Sequence, residues 1–377
     1  MKQFQKSKVL LISFAHFTHD IFSALLAPIL PLLIDKMGIT LTQASLFDIA
    51  RKIPALFNPV LGIIAERTNA KYFVILAPAI TAISMGLLGI VNSYFLALLL
   101  LFIAGISATF FHIPSPAMIK EFSGKESGKG MSYFMAAGES ARTIGPLLAA
   151  AVISMWGLEG ILRLSILGII ASIFLYIKLK DYTPKYKAKK FETAEIKKTL
   201  RKVSPFFIKL GSFMMLNYTS KFSLSLFLPV YLTQQGKSAE FGAIAFGIMQ
   251  AGGILGAFYG GRISDKIGRK KALLFQTIGA SLFLILFLIT NSIFILPFLG
   301  FFLFSQSPVL LAFTHDLKTD TPNFINSLYM FINFGISSLI VLFAGILGEH
   351  LGLFKTFEIA AILTLLSIPF IYTIKTQ

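Results

Sequence analysis

The 377-residue chain has no cysteine, one tryptophan and few acids. Its 17 Asp and Glu stand against 34 Lys and Arg, and all charged residues together make up only 14%. The lack of cysteine removes a disulfide framework, a thiolate metal site and a thiol nucleophile, and leaves the redox compartment open. The shortage of charge, beside 55% apolar residues and a mean hydropathy of +0.78, excludes a soluble globular domain. Also missing are His-Glu-x-x-His, Gly-x-Ser-x-Gly, a P-loop and any paired metal-ligand motif. The sequence therefore supports no enzymatic activity, no cofactor and no metal.

What the chain has instead is long apolar runs. A helix needs roughly 20 apolar residues to cross a bilayer, and about twelve such runs lie near 8–36, 41–66, 71–92, 94–119, 129–155, 160–180, 205–233, 239–264, 270–290, 293–315, 323–348 and 354–374. The first begins after Lys8, exceeds signal-peptide length, has no small-residue cleavage site and carries His19-Asp20 at its centre. It reads as a membrane span and not as a cleaved leader. The net charge of +17 is unevenly placed. With both termini cytoplasmic, about 26 of the basic residues fall on the cytoplasmic side, and about four (Lys36, Arg163, Lys237, Lys355) fall outside. That asymmetry fixes orientation in a plasma membrane. It leaves no soluble basic domain that could hold nucleic acid.

The runs come in two related sets. Gly62-Ile-Ile-Ala-Glu66-Arg67-Thr-Asn-Ala-Lys71 reads as a worn copy of Gly261-Arg-Ile-Ser-Asp265-Lys266-Ile-Gly268-Arg269-Lys270-Lys271, displaced by about 199 residues. Pro28 and Pro31 followed by Gly38 match Pro229 followed by Gly236, and Trp156-Gly157-Leu158 matches Leu351-Gly352-Leu353. The economical reading is an all-α membrane protein of 12 transmembrane helices in two pseudo-symmetric six-helix bundles, residues 1–180 and 205–377. Between them, residues 181–204 form a basic cytoplasmic linker whose lysines suit an anionic lipid surface. Halves of this kind enclose a site near the midplane and expose it to one side at a time.

Polar residues inside apolar spans are costly, at about 2.5–3.5 kcal/mol for a central charge, and so need a partner or a wet cavity. His16, His19 and Asp20 share one face of the first span at i, i+3 and i+4, with Asp20 roughly 16 Å in from Val9. They form either a structural hydrogen-bonded group or a titrating site that couples transport to protons. Glu139 and Arg142 pair at i, i+3 on the fifth span, before a Gly145-Pro146 step that suits a kink. Glu139 joins the proton-coupling candidates. Asp48, Arg51 and Lys52 form a similar trio on the second span, read as a structural network or, for Arg51, as a substrate contact. Lys221 stands by itself near the middle of the seventh span, where an anionic group on a substrate or a carboxylate such as Asp20 would stabilise it. Arg51, Arg142 and Lys221 are the substrate-cavity candidates. His112 and His315-Asp316 lie toward the cytoplasmic ends of the fourth and tenth spans, as gate, cap or interfacial groups.

The pattern Gly-x-x-x-Asp-(Arg/Lys)-x-Gly-Arg-(Lys/Arg)-(Lys/Arg) at Gly261, Asp265, Gly268 and Arg269 resembles the signature loop of major facilitator superfamily transporters. The copy at Gly62, Glu66 and Arg67 departs from it, with Glu66 for Asp and Thr68-Asn69-Ala70 in place of Gly-Arg. Gly145-Pro146 is similar to the helix 5 motif of proton-linked exporters in that superfamily. His16-Phe-Thr-His19-Asp20, Phe111-His112-Ile-Pro114 and Gly145-Pro146-Leu-Leu together resemble the fosmidomycin-resistance type of drug exporter. The resemblance implies a monomeric carrier working by alternating access, exporting a small anionic or amphipathic compound in exchange for protons. Proton-coupled uptake, lysolipid or sugar transport, and a non-transporting receptor or scaffold stay open as alternatives. In the signature loop, Asp265 is expected to cap a helix start and to pair with Arg269 as a cytoplasmic latch.

Overall fold

Backbone amides and carbonyls inside hydrocarbon have no water to bond, so an open chain there must satisfy them within helices. Every regular element among the described residues is helical. The computed structural model describes residues 4–57, 71–183, 193–317 and 322–374.

The chain forms two compact units, one of Met1–Ile39, Leu46–Lys189 and Leu232–Gly247, the other of Thr40–Ser45, Lys190–Tyr231 and Ile248–Gln377. The first unit holds α1 (Lys6–Ser23), α2 (Leu26–Met37), most of α3 (Leu41–Leu56), α4 (Lys71–Leu87), α5 (Tyr94–His112), α6 (Ser115–Ser123), α7 (Ser127–Trp156) and α8 (Ser165–Leu179). α1 and α2 are separated at Ala24-Leu25 because Pro28 offers no N–H to the carbonyl four residues back. Gly38, at φ 60°, then takes the left-handed turn that ends α2. Gly236 adopts the same left-handed region at φ 79°, at the matching place in the second copy.

Within this unit α1 packs along α7 and α4, and α4 along α8. Val9, Ile12, Ala15, Val74, Phe111, Phe134 and Leu175 are buried together between them. Tyr182, just beyond α8, donates to Glu121 Oε2 at 2.7 Å. Burial first, and then Glu121, holds its phenol well above the ordinary value, so it remains a donor.

The second unit holds α9 (Thr193–Asn217), most of α10 (Thr219–Gln234), most of α11 (Ala239–Ile267), α12 (Arg269–Thr290), α13 (Leu296–His315), α14 (Pro322–Leu351), α15 (Leu353–Leu366) and α16 (Ile368–Thr373). Its core gathers Phe207, Leu210, Phe213, Tyr218, Leu310, Phe313 and Tyr329. Thr40–Ser45 belongs here through Thr42, whose hydroxyl donates to Glu349 at 2.6 Å, and Leu41, whose carbonyl lies against Gly345. α11 and α13 meet backbone to backbone. A Cβ on Gly252, Gly256 or Gly260 would lie 1.9, 2.1 and 2.1 Å from the carbonyl oxygens of Pro297, Phe301 and Ser305. Glycines four apart line one face of α11, the small-residue seam by which helices pack closely without a hydrophobic driving force.

Two expectations are corrected. Among the described residues eight helical stretches, and not twelve, are long and apolar enough to cross a membrane, with Lys71–Leu87 as a shorter apolar helix. Nor does the chain divide into two six-helix bundles, because Leu232–Gly247 belongs to the first unit and Thr40–Ser45 to the second. The physical reasons are local. Charges at Asp48, Arg51 and Lys52 interrupt the second apolar run, residues 58–70 at its end lie outside the described residues, and the seventh run is divided between α9 and α10 around Tyr218. The fold is an all-α, multi-pass membrane protein. Its outward faces carry Phe95, Ile289 and Phe294 at 80%, 73% and 82% exposure, as a lipid-facing surface requires.

Gly256→Val should force α11 and α13 apart and cost about 1–3 kcal/mol, the range for overpacking. Gly335→Ala, where a Cβ meets nothing within 4 Å, is the control. Melting of the purified protein in detergent checks this, and equal melting temperatures for the two variants would contradict the close contact.

Candidate functional site

Asp20 organises the interior of the first unit. Because α1 is helical, His16 and Asp20 stand one turn apart on the same face, and both are buried, as is His19. Asp20 Oδ2 lies 3.3 Å from His16 Nε2, and Oδ1 lies 2.9 Å from His19 Nδ1 and 3.5 Å from His112 Nε2. Three imidazoles thus surround one carboxylate. His16 Nδ1 sits 2.8 Å from the Phe134 carbonyl, which can only accept, so Nδ1 carries a hydrogen and Nε2 faces the carboxylate. His19 donates through Nδ1 to Asp20, and its Nε2 is buried with no hydrogen-bond partner among the described residues.

Aromatic packing fixes these rings. Phe134 stacks on His16 at 4.0 Å between centroids and Phe111 on His19 at 4.8 Å. Gly138 completes the fit, since a Cβ there would lie 2.4 Å from His16 Cε1. On the same helix Arg142 Nη1 bonds Glu139 Oε1 at 3.0 Å, and both side chains are partly exposed. α7 runs unbroken through Gly145-Pro146, and Gly145 lets it approach the Ile21 carbonyl of α1, which a Cβ would meet at 2.8 Å.

The trio on α3 is closed on itself. Asp48 receives Arg51 Nη2 at 2.8 Å and Lys52 Nζ at 2.5 Å, and Arg51 Nη1 also reaches the Ser23 carbonyl at 3.3 Å. Arg51 thereby joins α3 to the end of α1. Gly62, Glu66 and Arg67 lie outside the described residues.

In the second unit the half-buried Lys221 donates through Nζ to Ser307 Oγ at 2.6 Å. It lies over the rings of Tyr218 and Phe304, each at 4.8 Å, and of Phe222 at 5.5 Å. Ser307 also meets the Tyr218 hydroxyl at 3.3 Å, which ties α10 and the turn before it to α13. In the signature loop, Arg269 joins two acids. Its Nη1 bonds Asp265 Oδ1 at 2.7 Å and Ser264 Oγ at 2.9 Å, and its Nε bonds Asp316 Oδ2 at 3.2 Å. Gly261 lies on α11, and Gly268, at φ 91°, turns the chain from α11 into α12 with no side-chain cap. His315 closes α13.

Sequence reasoning had set His112 apart from Asp20, offered Lys221 only a substrate anion or a distant carboxylate, and given Asp316 no partner. The stacking of Phe111 and Phe134 on the histidines, Ser307, and the bridging role of Arg269 were absent from it. Helical spacing is the only short-range signal in this sequence, and each of these contacts joins segments far apart in the chain.

Comparison with known proteins agrees with this architecture. The sequence pattern of the Major Facilitator Superfamily matches residues 12–341. The chain is 23% identical to the fosmidomycin resistance protein of Escherichia coli (strain K12) over 96% of its own length and 91% of that protein's. It is 22% identical to the multidrug resistance protein MdtG of Proteus mirabilis over 74% of this chain and 72% of that one. Among solved structures, a bacterial homolog of the human lysosomal transporter Spinster, inward-facing and unoccupied, superposes with a TM-score of 0.83 at 14% identity, covering 99% of this chain and 97% of that one. The nucleoside transporter NupG gives 0.80 at 14% identity, covering 97% and 99%. With the helical membrane fold, the matched pattern over most of its length and these neighbours, the chain belongs to the Major Facilitator Superfamily, as a plasma-membrane transporter of a small molecule and not an enzyme.

Proposed function

We propose that the protein exports a small anionic or amphipathic compound in exchange for protons. The observation that carries the substrate class is Lys221. An ammonium that donates to the Ser307 hydroxyl and lies over three rings offers a charge to an anionic head and flat apolar walls to the body attached to it. Export is supported by the resistance proteins and the efflux pump of Streptococcus pneumoniae among the relatives.

In this reading the coupling role falls to Glu139. It is partly exposed, and neutralising it would release Arg142 from its 3.0 Å ion pair. A proton taken up there and a substrate bound elsewhere then compete through the conformations each favours, which is how a carrier couples two fluxes. The Arg269 bridge supplies a conformational latch: Asp265 and Asp316 lie on different segments, and one guanidinium holds both. Each exposed arm contributes up to about 1 kcal/mol, small against folding but enough to bias two conformations several-fold.

Reconstituted protein tests these assignments. Lys221→Gln should raise KM for an organic anion at least tenfold while Lys221→Arg restores most of it, and equal KM for the two would remove the anion site. Glu139→Gln should abolish the response to an imposed pH gradient and preserve substrate counterflow. Retention of pH-driven transport would take the coupling role away from Glu139. Arg269→Ala should slow transport more than Asp265→Asn, which leaves the Asp316 arm in place, and the reverse order would contradict the latch.

A further inference from the structure

We propose that His16, Asp20 and His112 form a binding site for one divalent transition-metal ion of the zinc type. The donor atoms, His16 Nε2, a carboxylate oxygen of Asp20 and His112 Nε2, all lie within 4.8 Å of one another. Zinc binds imidazole nitrogen and carboxylate oxygen at about 2.0–2.2 Å, so the edges of its tetrahedron measure roughly 3.3–3.5 Å. Asp20 presents a different oxygen to each histidine, Oδ2 at 3.3 Å from His16 Nε2 and Oδ1 at 3.5 Å from His112 Nε2, so an ion would be held between both oxygens or by one after a small turn of the carboxylate. The remaining edge lies between the two histidines. His112, whose side chain is 43% exposed, has the freedom to close it.

The surroundings are those of a ligand set and not only of a hydrogen-bonded group. His16 gives its Nδ1 hydrogen to the Phe134 carbonyl, the outer-shell contact that fixes the tautomer and turns the other nitrogen's lone pair toward a metal. Nε2 then faces a carboxylate oxygen at 3.3 Å in a buried place, where a proton or a metal cation between the two atoms would join them. His19 orients the carboxylate through its 2.9 Å bond to Oδ1, and Phe111 and Phe134 hold the two buried rings in plane contact. Gly138 leaves the His16 ring its space.

Two nitrogens and one oxygen select zinc, cobalt or nickel over magnesium and calcium, which require shells of oxygen. Three protein ligands leave a fourth position open on the exposed His112 side, for water or an anionic group. No sequence motif announces the site, because His112 comes from the end of α5 and the other two from α1. The inference stands apart from the export reading, since metal binding is measured without transport.

The test uses full-length protein in detergent, free of any polyhistidine tag and stripped with EDTA, titrated with ZnCl2 by calorimetry and with CoCl2 by visible absorption. One saturable equivalent is expected, with the intense absorption of tetrahedral cobalt and no response to MgCl2 or CaCl2. His112→Ala and Asp20→Asn should each weaken binding more than tenfold, while His350→Ala, an exposed histidine on α14, leaves it unchanged. Monodisperse elution certifies folding, and should Asp20→Asn fail it, His112→Ala at its exposed position decides alone. The proposal is overturned if zinc shows no saturable binding, if binding survives His112→Ala, or if calcium produces the same response.

Discussion

Hydrocarbon does not solvate charge, and the interior of this protein is arranged around that constraint. Asp20 is enclosed by three histidines, Asp48 by Arg51 and Lys52, and Lys221 by a hydroxyl and three rings. Each solution differs in kind. Asp48 pairs with two cations, one of which, Arg51, also reaches the Ser23 carbonyl. Asp20 is met by three imidazoles, groups that can donate, accept or bind a cation. Lys221 donates to the Ser307 hydroxyl and lies over three rings.

The helical packing follows from the same constraint. Lipid tails are as apolar as the side chains that face them, so helix association needs close contact and not water exclusion. The seam of Gly252, Gly256 and Gly260 on α11 and the approach of Gly145 to α1 supply that contact where a larger residue would collide with backbone. Polar cross-ties finish it: Asn217 bonds Thr277 and Ser367, and Thr81 bonds Ser107.

Much of this was legible in the sequence, for identifiable reasons. Hydropathy alone announces a helical membrane protein, because a run of apolar residues has no other use at that length. Helical spacing places His16 with Asp20, Asp48 with Arg51, and Glu139 with Arg142, all within one turn. Spacing could not reveal that His112 meets Asp20, that Ser307 receives Lys221, or that Asp316 shares Arg269 with Asp265, since those contacts depend on tertiary packing. The count of spans failed for a related reason: apolar runs such as 41–66 contain charges that pair only in the folded protein, and hydropathy treats paired and unpaired charges alike.

The account's central claim is exchange of an organic anion for protons. Its most direct test is accumulation of a labelled organic anion by proteoliposomes under an imposed pH gradient. Vesicles acidic inside should concentrate the anion, opposite to the passive distribution of a weak acid, and collapse of the gradient by a potassium–proton exchanger should release it. Accumulation by vesicles acidic outside, or none dependent on the gradient, would contradict the account.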